Sequence, residues 1–257
     1  MVTYLLKKSY RLKDLREVYF QDLWEQHGIF TTMWIFGKPP KILFFDNHMK
    51  NLIRSLQKYH IQEKSIKKKI KKIIKENLSK NTRYNHLLRV AVNRRVISIS
   101  LRKRLSPKLD FNLKLVSLKR EKPEYKNLKY KKILSYLSKI DNSKSDIGIV
   151  NQKKILETGT SNLLFIRDRK VFTPKKNYYQ GNTYKYFKSK IKRIVKKDIF
   201  VQELDKYEEI ILIGSGKGVA SVKTINQINW RRKSLKHFKI FSNYYKTAIK
   251  GCRLYKF

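Results

Sequence analysis

A single acid in the second half of the chain is placed where it could serve one charged partner. Glu157 is followed by small and hydroxyl-bearing residues, then by Asn162 five positions later, and then by an apolar strand. We expect a carboxylate at such a polar turn to be buried, and a buried charge needs a compensating partner. The segment 156–165 therefore predicts a turn that holds a cationic group.

Further reactive groups lie in order around this acid. Lys129 precedes Glu157 by 28 positions at the start of a predicted helix, and Lys126 is the alternative lysine one helical turn earlier. Downstream, Thr183 begins a basic helix, and Ser215 follows a buried-type strand in the glycine-rich segment 214–218. Hydroxyl groups and N–H groups at a helix N-terminus bind phosphate well. The chain thus carries, in order, a lysine, an acid and two loops whose donors could bind phosphate.

Short strands and helices must position these groups. In the first half, apolar spacing predicts strands at 28–36, 42–45, 87–92, 96–101 and 111–118, and helices at 47–59 and 62–78. In the second half it predicts helices at 129–140 and 184–196, and strands at 147–150, 165–167, 171–174 and 209–213. The polar segment 119–127 contains Pro123 and lacks periodicity. We therefore expect an α+β chain with an N-terminal domain, 1–118, a linker, 119–127, and a C-terminal domain, 128–257.

Taken in this order, the motifs resemble those of the class IV aminotransferase family, whose members use pyridoxal phosphate as their cofactor. Segment 28–32, Gly-Ile-Phe-Thr-Thr, resembles the family's Gly-x-Phe-Glu-Thr strand, and segment 48–52 resembles its His-Leu-x-Arg-Leu helix start. Segment 214–222 resembles its Asn-Ser-x-x-Gly-Val-x-Pro-Val loop. The resemblance covers about 28 to 248. It implies a two-domain fold with a small N-terminal α/β sandwich and a C-terminal β-barrel-like domain.

The resemblance also implies a role for each group of a pyridoxal 5'-phosphate site. Lys129 would hold the cofactor aldehyde as a Schiff base and shuttle protons. Glu157, with Asn162 as its companion, would lie beside the ring nitrogen and favour its protonated form, which strengthens the ring as an electron sink. Thr183 and Ser215 would bind the phosphate. No metal is implied, because the five histidines show no metal-ligand spacing.

The substrate pocket implied by the resemblance contains Thr31, Gly216 and Lys217. The Phe-Thr-Thr strand and the loop at 217–219 favour the aminodeoxychorismate lyase branch of the family, whose members release pyruvate and p-aminobenzoate for folate synthesis. A branched-chain or D-amino-acid aminotransferase of the same family is the alternative. A small-molecule substrate, either aminodeoxychorismate or an amino acid, and a homodimer are therefore expected.

Two positions depart from the family pattern where it has phosphate-binding arginines. Asn51 replaces one arginine, and Tyr184 replaces the arginine of the Gly-Ile-Thr-Arg loop. Loss of a bidentate guanidinium weakens phosphate recognition. Lys50, Arg54 or Lys185 could compensate for the missing charges.

The formal net charge of +43, from 62 Lys and Arg against 19 Asp and Glu, is extreme. Such a charge is typical of nucleic-acid-binding proteins, because basic surfaces release counterions from phosphates. Here, however, lysine recurs in nearly every block of ten residues and forms no concentrated stripe. We therefore do not expect nucleic acid as a partner, although a catalytically degenerate, basic nucleic-acid-binding protein is the second alternative.

Several other classes are excluded by simple features. No apolar run reaches the roughly 18–20 residues that span a bilayer, so no membrane association is expected. The charge of the N-terminal segment follows its apolar patch, the reverse of a secretory signal. The single cysteine, Cys252, excludes an internal disulfide. We expect a cytoplasmic protein.

Overall fold

The structure, a computed structural model, describes residues 3–255 of the 257-residue chain. Its strands and helices form two compact units. The first contains residues 3–104, Tyr125–Tyr130 and 251–255, and the second contains Leu105–Glu124 and Lys131–Lys250. One crossing between the units, at 124–125, falls inside the expected linker 119–127, but residues 105–118, expected in the N-terminal domain, belong to the second unit. Residues 128–130 and 251–255, expected in the C-terminal domain, belong to the first unit. Each unit has its own sheet and its own helices, as expected of an α+β chain.

The first unit is a six-stranded antiparallel sheet with two helices. The sheet order is β2-β1-β6-β5-β3-β4. Its strands are β1 Tyr4–Arg11, β2 Glu17–Val18, β3 Gly28–Gly37, β4 Lys41–Ile42, β5 Tyr84–Asn93 and β6 Val96–Lys103. Its helices are α1 Phe45–Lys58 and α2 Ile66–Asn77.

Helix α2 shows how a very basic segment folds in this unit. Ile66, Ile70, Ile73 and Ile74 recur at helical spacing and are buried in the core of the unit. The intervening lysines lie on the other side of the helix, where their charges reach water and, at Lys69, the carboxylate of Glu63 at 2.7 Å. The apolar stripe, not the charge, therefore determines how this helix packs.

The second unit is built on a nine-stranded mixed sheet. The main order is β12-β11-β10-β13-β14-β7-β8-β9, and β15 pairs with β14. Its strands are β7 Phe111–Ser117, β8 Ser145–Asn151, β9 Lys154–Thr158, β10 Asn162–Arg167, β11 Lys170–Pro174, β12 Ile194–Lys197, β13 Glu209–Gly214, β14 Gly218–Ile225 and β15 Trp230–Arg231. Its helices are α3 Lys131–Leu137, α4 Asn182–Lys190 and α5 Lys236–Lys250, with short 3₁₀ turns at Val201–Lys206 and Asn226–Ile228.

Two predicted helices of the second unit are shorter than the sequence indicates, as is the helix expected at 62–78 in the first unit, which is α2. The helix expected at 129–140 is limited to α3, and the one expected at 184–196 begins earlier, at Asn182, and ends at Lys190. The remainder of the second becomes β12, which pairs with β11 in parallel. Tertiary pairing has therefore overridden a helical pattern that is weak in apolar residues. Helix α5 and strand β1 are not among the elements predicted from the sequence.

Among residues 3–255, none of the helices has both the length and the hydrophobicity needed to cross a bilayer. The same residues contain no group of His, Cys, Asp and Glu side chains that could hold a metal ion.

Candidate active site

The acid at the end of β9 is buried and ion-paired. The Glu157 side chain is 7% exposed, and its Oε1 accepts a hydrogen bond from Nη1 of Arg120, whose side chain is 5% exposed. Its Oε2 accepts a hydrogen bond from the backbone N–H of Tyr179 at 3.3 Å. The guanidinium and the N–H favour the ionised carboxylate. The structure thus confirms that the 156–165 turn holds a buried, partnered carboxylate.

Asn162, the first residue of β10, organises the segment that leads into α4. Its Nδ2 donates to the carbonyl of Tyr179 at 2.5 Å, and its Oδ1 accepts from the N–H of Gly181 at 3.0 Å. Tyr179 is therefore held by Glu157 through its N–H and by Asn162 through its C=O. The companion asparagine positions the start of α4, and its amide is already used within the protein.

The N-terminus of α4 has the features of an anion site. Gly181 is the N-cap, and none of the described side chains caps this end of the helix. Thr183 is buried, and its Oγ1 has no hydrogen-bond partner in the part of the chain that the structure describes. Buried hydroxyls normally have a partner, and the first N–H groups of a helix lack intrahelical acceptors. A phosphate bound here would satisfy both.

The glycine-rich loop at 214–218 is the tip of the β13–β14 hairpin. Gly214 pairs with Gly218, so residues 215–217 form the turn, and Gly218 has a positive φ of 70°. A Cβ at position 214 would lie 3.0 Å from Ser161 Oγ and 3.1 Å from the carbonyl of Thr160. The loop that carries Ser215 therefore packs against the turn before β10. Asn162, the residue after this turn, accepts a hydrogen bond from the N-cap residue of α4, so the α4 N-terminus is connected to the same turn.

Lys217 does not occupy an open pocket within its unit. Its side chain is 7% exposed, and its Nζ donates to the carbonyl of Asn142 at 3.0 Å. The same ammonium lies 3.8 Å from Asp146, a fully buried carboxylate, and 4.8 Å from the ring centroid of Phe111. Its neighbour Gly216 is half-buried at the hairpin tip. The surroundings of Lys217 are those of a structural ion pair, so we do not retain it as a substrate contact.

Thr31 is likewise engaged inside its own unit. Its Oγ1 lies 2.7 Å from Nδ1 of His48, and both residues are buried. Thr31 is on the face of β3 that carries the core residues Ile29 and Met33, because side chains alternate along a strand. Its neighbour Phe30 is on the opposite face. Asn51, where the family pattern has an arginine, is half-buried on α1.

Two lysines of the first unit, Lys126 and Lys129, are candidates for attachment of the cofactor. Segment 125–130 runs antiparallel to β3, with the carbonyl of Lys126 accepting from the N–H of Phe30 at 2.8 Å. The Lys126 side chain is half-buried, with Nζ 5.1 Å from the ring centroid of Phe30. Asn127 points the other way and donates to the hydroxyl of Tyr59. Lys129, the residue expected from the sequence, is exposed.

Tyr184, the second arginine replacement, is fully buried. Its ring packs edge-on against Tyr178 with centroids 6.1 Å apart. Burial raises the pKa of the neighbouring Tyr178 hydroxyl above its usual value. The Tyr178 phenol therefore stays neutral at physiological pH, and the tyrosine at position 184 supplies no guanidinium to an anion. Sequence reasoning also missed Arg120 and Asp146, because neither belongs to a recognisable motif.

The residues of the second unit fit pyridoxal phosphate on structural grounds. The partnerless Thr183 hydroxyl and the uncapped start of α4 suit the phosphate dianion. The buried, ionised Glu157 suits the pyridinium nitrogen. Asn162 links these two places through Tyr179 and Gly181.

Comparison with known structures gives fold matches over nearly the whole chain. A branched-chain aminotransferase from the archaeon Thermoproteus uzoniensis matches with a TM-score of 0.76, at 15% identity and over 96% of each chain. A proposed 4-amino-4-deoxychorismate lyase from Legionella pneumophila matches with a TM-score of 0.69, at 16% identity, over 86% of this chain and 91% of that one. A pyridoxal-phosphate-bound hypothetical aminotransferase from Mycobacterium tuberculosis matches with a TM-score of 0.69, at 14% identity, over 95% and 99%.

A comparison with curated protein sequences finds no significant match. The sequence pattern that defines the family "Amino-transferase class IV", in contrast, matches residues 28–225, about three quarters of the chain. This span contains the buried acid, both hydroxyl-bearing loops and both candidate lysines. The chain belongs to the class IV aminotransferases and is an enzyme that depends on pyridoxal phosphate.

Proposed function

We propose that this enzyme is a lyase that resembles 4-amino-4-deoxychorismate lyase and releases pyruvate and p-aminobenzoate for folate synthesis. The cofactor assignment rests on two features found in the same unit. One is the buried carboxylate of Glu157, and the other is the start of α4, which has no side-chain cap and where Thr183 Oγ1 has no partner among the described residues. The preference for a lyase rests on the Phe-Thr-Thr sequence at 30–32 and on the Lys-Gly-Val sequence at 217–219.

When bound, pyridoxal phosphate supplies an electron sink that stabilises negative charge at the substrate carbon. Glu157 would accept a hydrogen bond from the protonated ring nitrogen and keep that nitrogen charged. Thr183 Oγ1, the N–H groups at the start of α4 and the Ser215 hydroxyl would hold the phosphate. Asn162 would keep the first two of these groups in register with Glu157.

We further propose that Lys126, rather than Lys129, is the covalent attachment point. Lys126 is half-buried beside Phe30 on the face of β3 opposite the core, whereas Lys129 is exposed. The neutral form of the Lys126 amine would be the one that attacks the aldehyde and accepts a proton. Lys126 Nζ would then be the group that removes and returns the substrate proton.

Cofactor attachment is tested by spectroscopy and peptide mapping. Protein incubated with pyridoxal phosphate should gain a visible absorbance band, and borohydride should fix a pyridoxyl group on the peptide that contains Lys126. The Lys126→Ala variant should lose the band, and the matched Lys129→Ala variant should keep it. Modification of Lys129 alone would restore the assignment made from the sequence. A colourless protein that binds RNA in a salt-sensitive manner would favour the nucleic-acid alternative.

An aminotransferase of branched-chain or D-amino acids is the second candidate, because branched-chain aminotransferases share this fold with TM-scores up to 0.76. The two reactions differ in their need for a second substrate. A lyase should release pyruvate and fluorescent p-aminobenzoate from aminodeoxychorismate without any keto acid. An aminotransferase should consume branched-chain amino acids only when a keto acid accepts the amino group. Light scattering would test the homodimer that we propose with either activity.

A further inference from the structure

The turn at 158–161 and the hairpin tip at 215–217 are connected by a buried charge network that no motif identifies. Its centre is Asp146, in β8, whose side chain is fully buried. Oδ1 accepts a hydrogen bond from the N–H of Ile147 at 2.8 Å. Oδ2 accepts from the hydroxyls of Thr158 at 2.9 Å and Thr160 at 2.6 Å. A carboxylate removed from water in this way requires such donors.

Asp146 thereby organises the turn that precedes β10. Thr158 Oγ1 also accepts from the N–H of Ser161 at 2.8 Å, and the N–H of Gly159 donates to the carbonyl of Ile147 at 3.0 Å. A Cβ at Gly159 would lie 2.9 Å from Ile147 Cγ1 and 3.1 Å from Asp146 Oδ1. The turn is thus held to the start of β8 by both side chains and backbone.

Lys217 connects the hairpin tip to the same carboxylate. Its Nζ lies 3.8 Å from Asp146 Oδ2 and donates to the carbonyl of Asn142 at 3.0 Å. Both side chains are nearly or fully excluded from water. A buried pair in which each partner has further hydrogen bonds is specific in geometry. The position of Lys217 therefore determines where its loop neighbour Ser215 lies.

We propose that Asp146 and Lys217 act together as a positioning pair for the phosphate of the cofactor. The pair joins the turn at 158–161, which packs against Gly214, to the hairpin tip that carries Ser215. This inference rests on the proposed cofactor site, and it gives Lys217 a role in place of the substrate contact expected from the sequence.

The test compares pyridoxal phosphate with pyridoxal, which lacks only the phosphate. Wild-type protein should bind the phosphorylated form much more tightly. In Lys217→Met the dissociation constant for pyridoxal phosphate should rise about ten- to hundredfold, the range for loss of one hydrogen bond to a charged group. The constant for pyridoxal should stay within about twofold of wild type, a difference that general loss of structure would not produce.

Two further variants make the experiment decisive. A single variant leaves one buried charge unpaired and could fail to fold for that reason. The double variant Asp146→Asn/Lys217→Met removes both charges, so it should still fold. It should show the same loss of phosphate preference. The control is Lys223→Met, in strand β14, which follows the hairpin tip; the Lys223 ammonium pairs with Asp110 at 3.1 Å, and its side chain is 48% exposed. It should bind both compounds as wild type does.

The outcomes separate the two proposals. If wild-type protein prefers the phosphorylated compound and the folded variants keep that preference, the positioning role is wrong and the proposed cofactor site stands. If affinity for both compounds falls equally, the pair is only structural, and the inference is also wrong. If wild-type protein shows no preference for the phosphate, the proposed site itself fails and the inference fails with it.

Discussion

Replacement of Arg120 by methionine should destabilise the protein severely, because it leaves the carboxylate of Glu157 buried without its cation. The two side chains are 5% and 7% exposed, so water cannot take the place of the guanidinium. Removing one partner of a buried ion pair typically costs about 3–5 kcal/mol of unfolding free energy. Methionine retains most of the apolar stem, so little of this loss arises from packing.

A double-mutant cycle separates the charge interaction from other effects. Glu157→Gln alone leaves the guanidinium of Arg120 buried, whereas Arg120→Met/Glu157→Gln removes both charges. The double variant should be more stable than Arg120→Met, with a coupling energy of about 2 kcal/mol or more. Lys154→Met, in the same strand β9, is the control. Lys154 pairs with Asp198 at 2.7 Å, but both side chains are about one third exposed, so it should cost less than about 1 kcal/mol.

Urea unfolding of the cofactor-free protein, followed by tryptophan fluorescence, measures these differences. Trp230 is buried in the second unit, where its Nε1 donates to the carbonyl of Tyr207. The reasoning would be refuted if Arg120→Met cost less than about 1 kcal/mol, as a solvated pair does. It would also be refuted if the losses of the two single variants simply added in the double variant.

Three further predictions concern the phosphate loops and alkaline stability. Thr183→Val should leave cofactor-free stability unchanged or raise it by up to about 1 kcal/mol, because the hydroxyl has no hydrogen-bond partner among residues 3–255. The same variant should weaken pyridoxal phosphate binding about tenfold in an absorbance titration. Gly214→Ala should cost about 1–3 kcal/mol in urea unfolding, because its Cβ would lie 3.0 Å from Ser161 Oγ. Burial raises the pKa of Tyr255 to about 12. The unfolded state therefore loses this proton first, so stability should fall between about pH 10 and 12, and Tyr255→Phe should reduce that slope in thermal melts.

Much of the architecture follows from periodicity that can be read directly. The buried isoleucines of α2 and the apolar runs of β3, β5 and β13 predict those elements, because each must bury one face. The elements that could not be predicted from the sequence depend on contacts with residues that are distant in sequence. Strand β12 forms in place of a helix because it pairs with β11. Phe44, in a predicted strand, instead has a positive φ of 56° and precedes α1.

The candidate site likewise contains features that could be predicted from the sequence and features that could not. The burial of Glu157 and the helix start near Thr183 could be predicted, because small and hydroxyl residues surround both positions. Arg120 could not, since it lies in the polar segment that the sequence indicates as a linker. Lys217 was assigned to the substrate pocket because its loop matches a motif, yet its side chain length lets the ammonium reach Asp146. A motif locates a loop and does not say where each side chain of the loop points.

The missing arginine at position 184 changes how the phosphate must be held. Tyr184 is fully buried against Tyr178. A cationic side chain at this position would therefore have to move into solvent or remain buried without a partner. In the proposed site, phosphate recognition at α4 would therefore depend on oriented neutral donors, namely N–H groups and the hydroxyls of Thr183 and Ser215. Such donors bind an anion only when their positions are fixed, because each alone is weak. This dependence explains why two buried ion pairs, Arg120 with Glu157 and Lys217 with Asp146, hold the neighbouring loops. Cofactor affinity in this enzyme should consequently be more sensitive to these pairs than to any single phosphate contact.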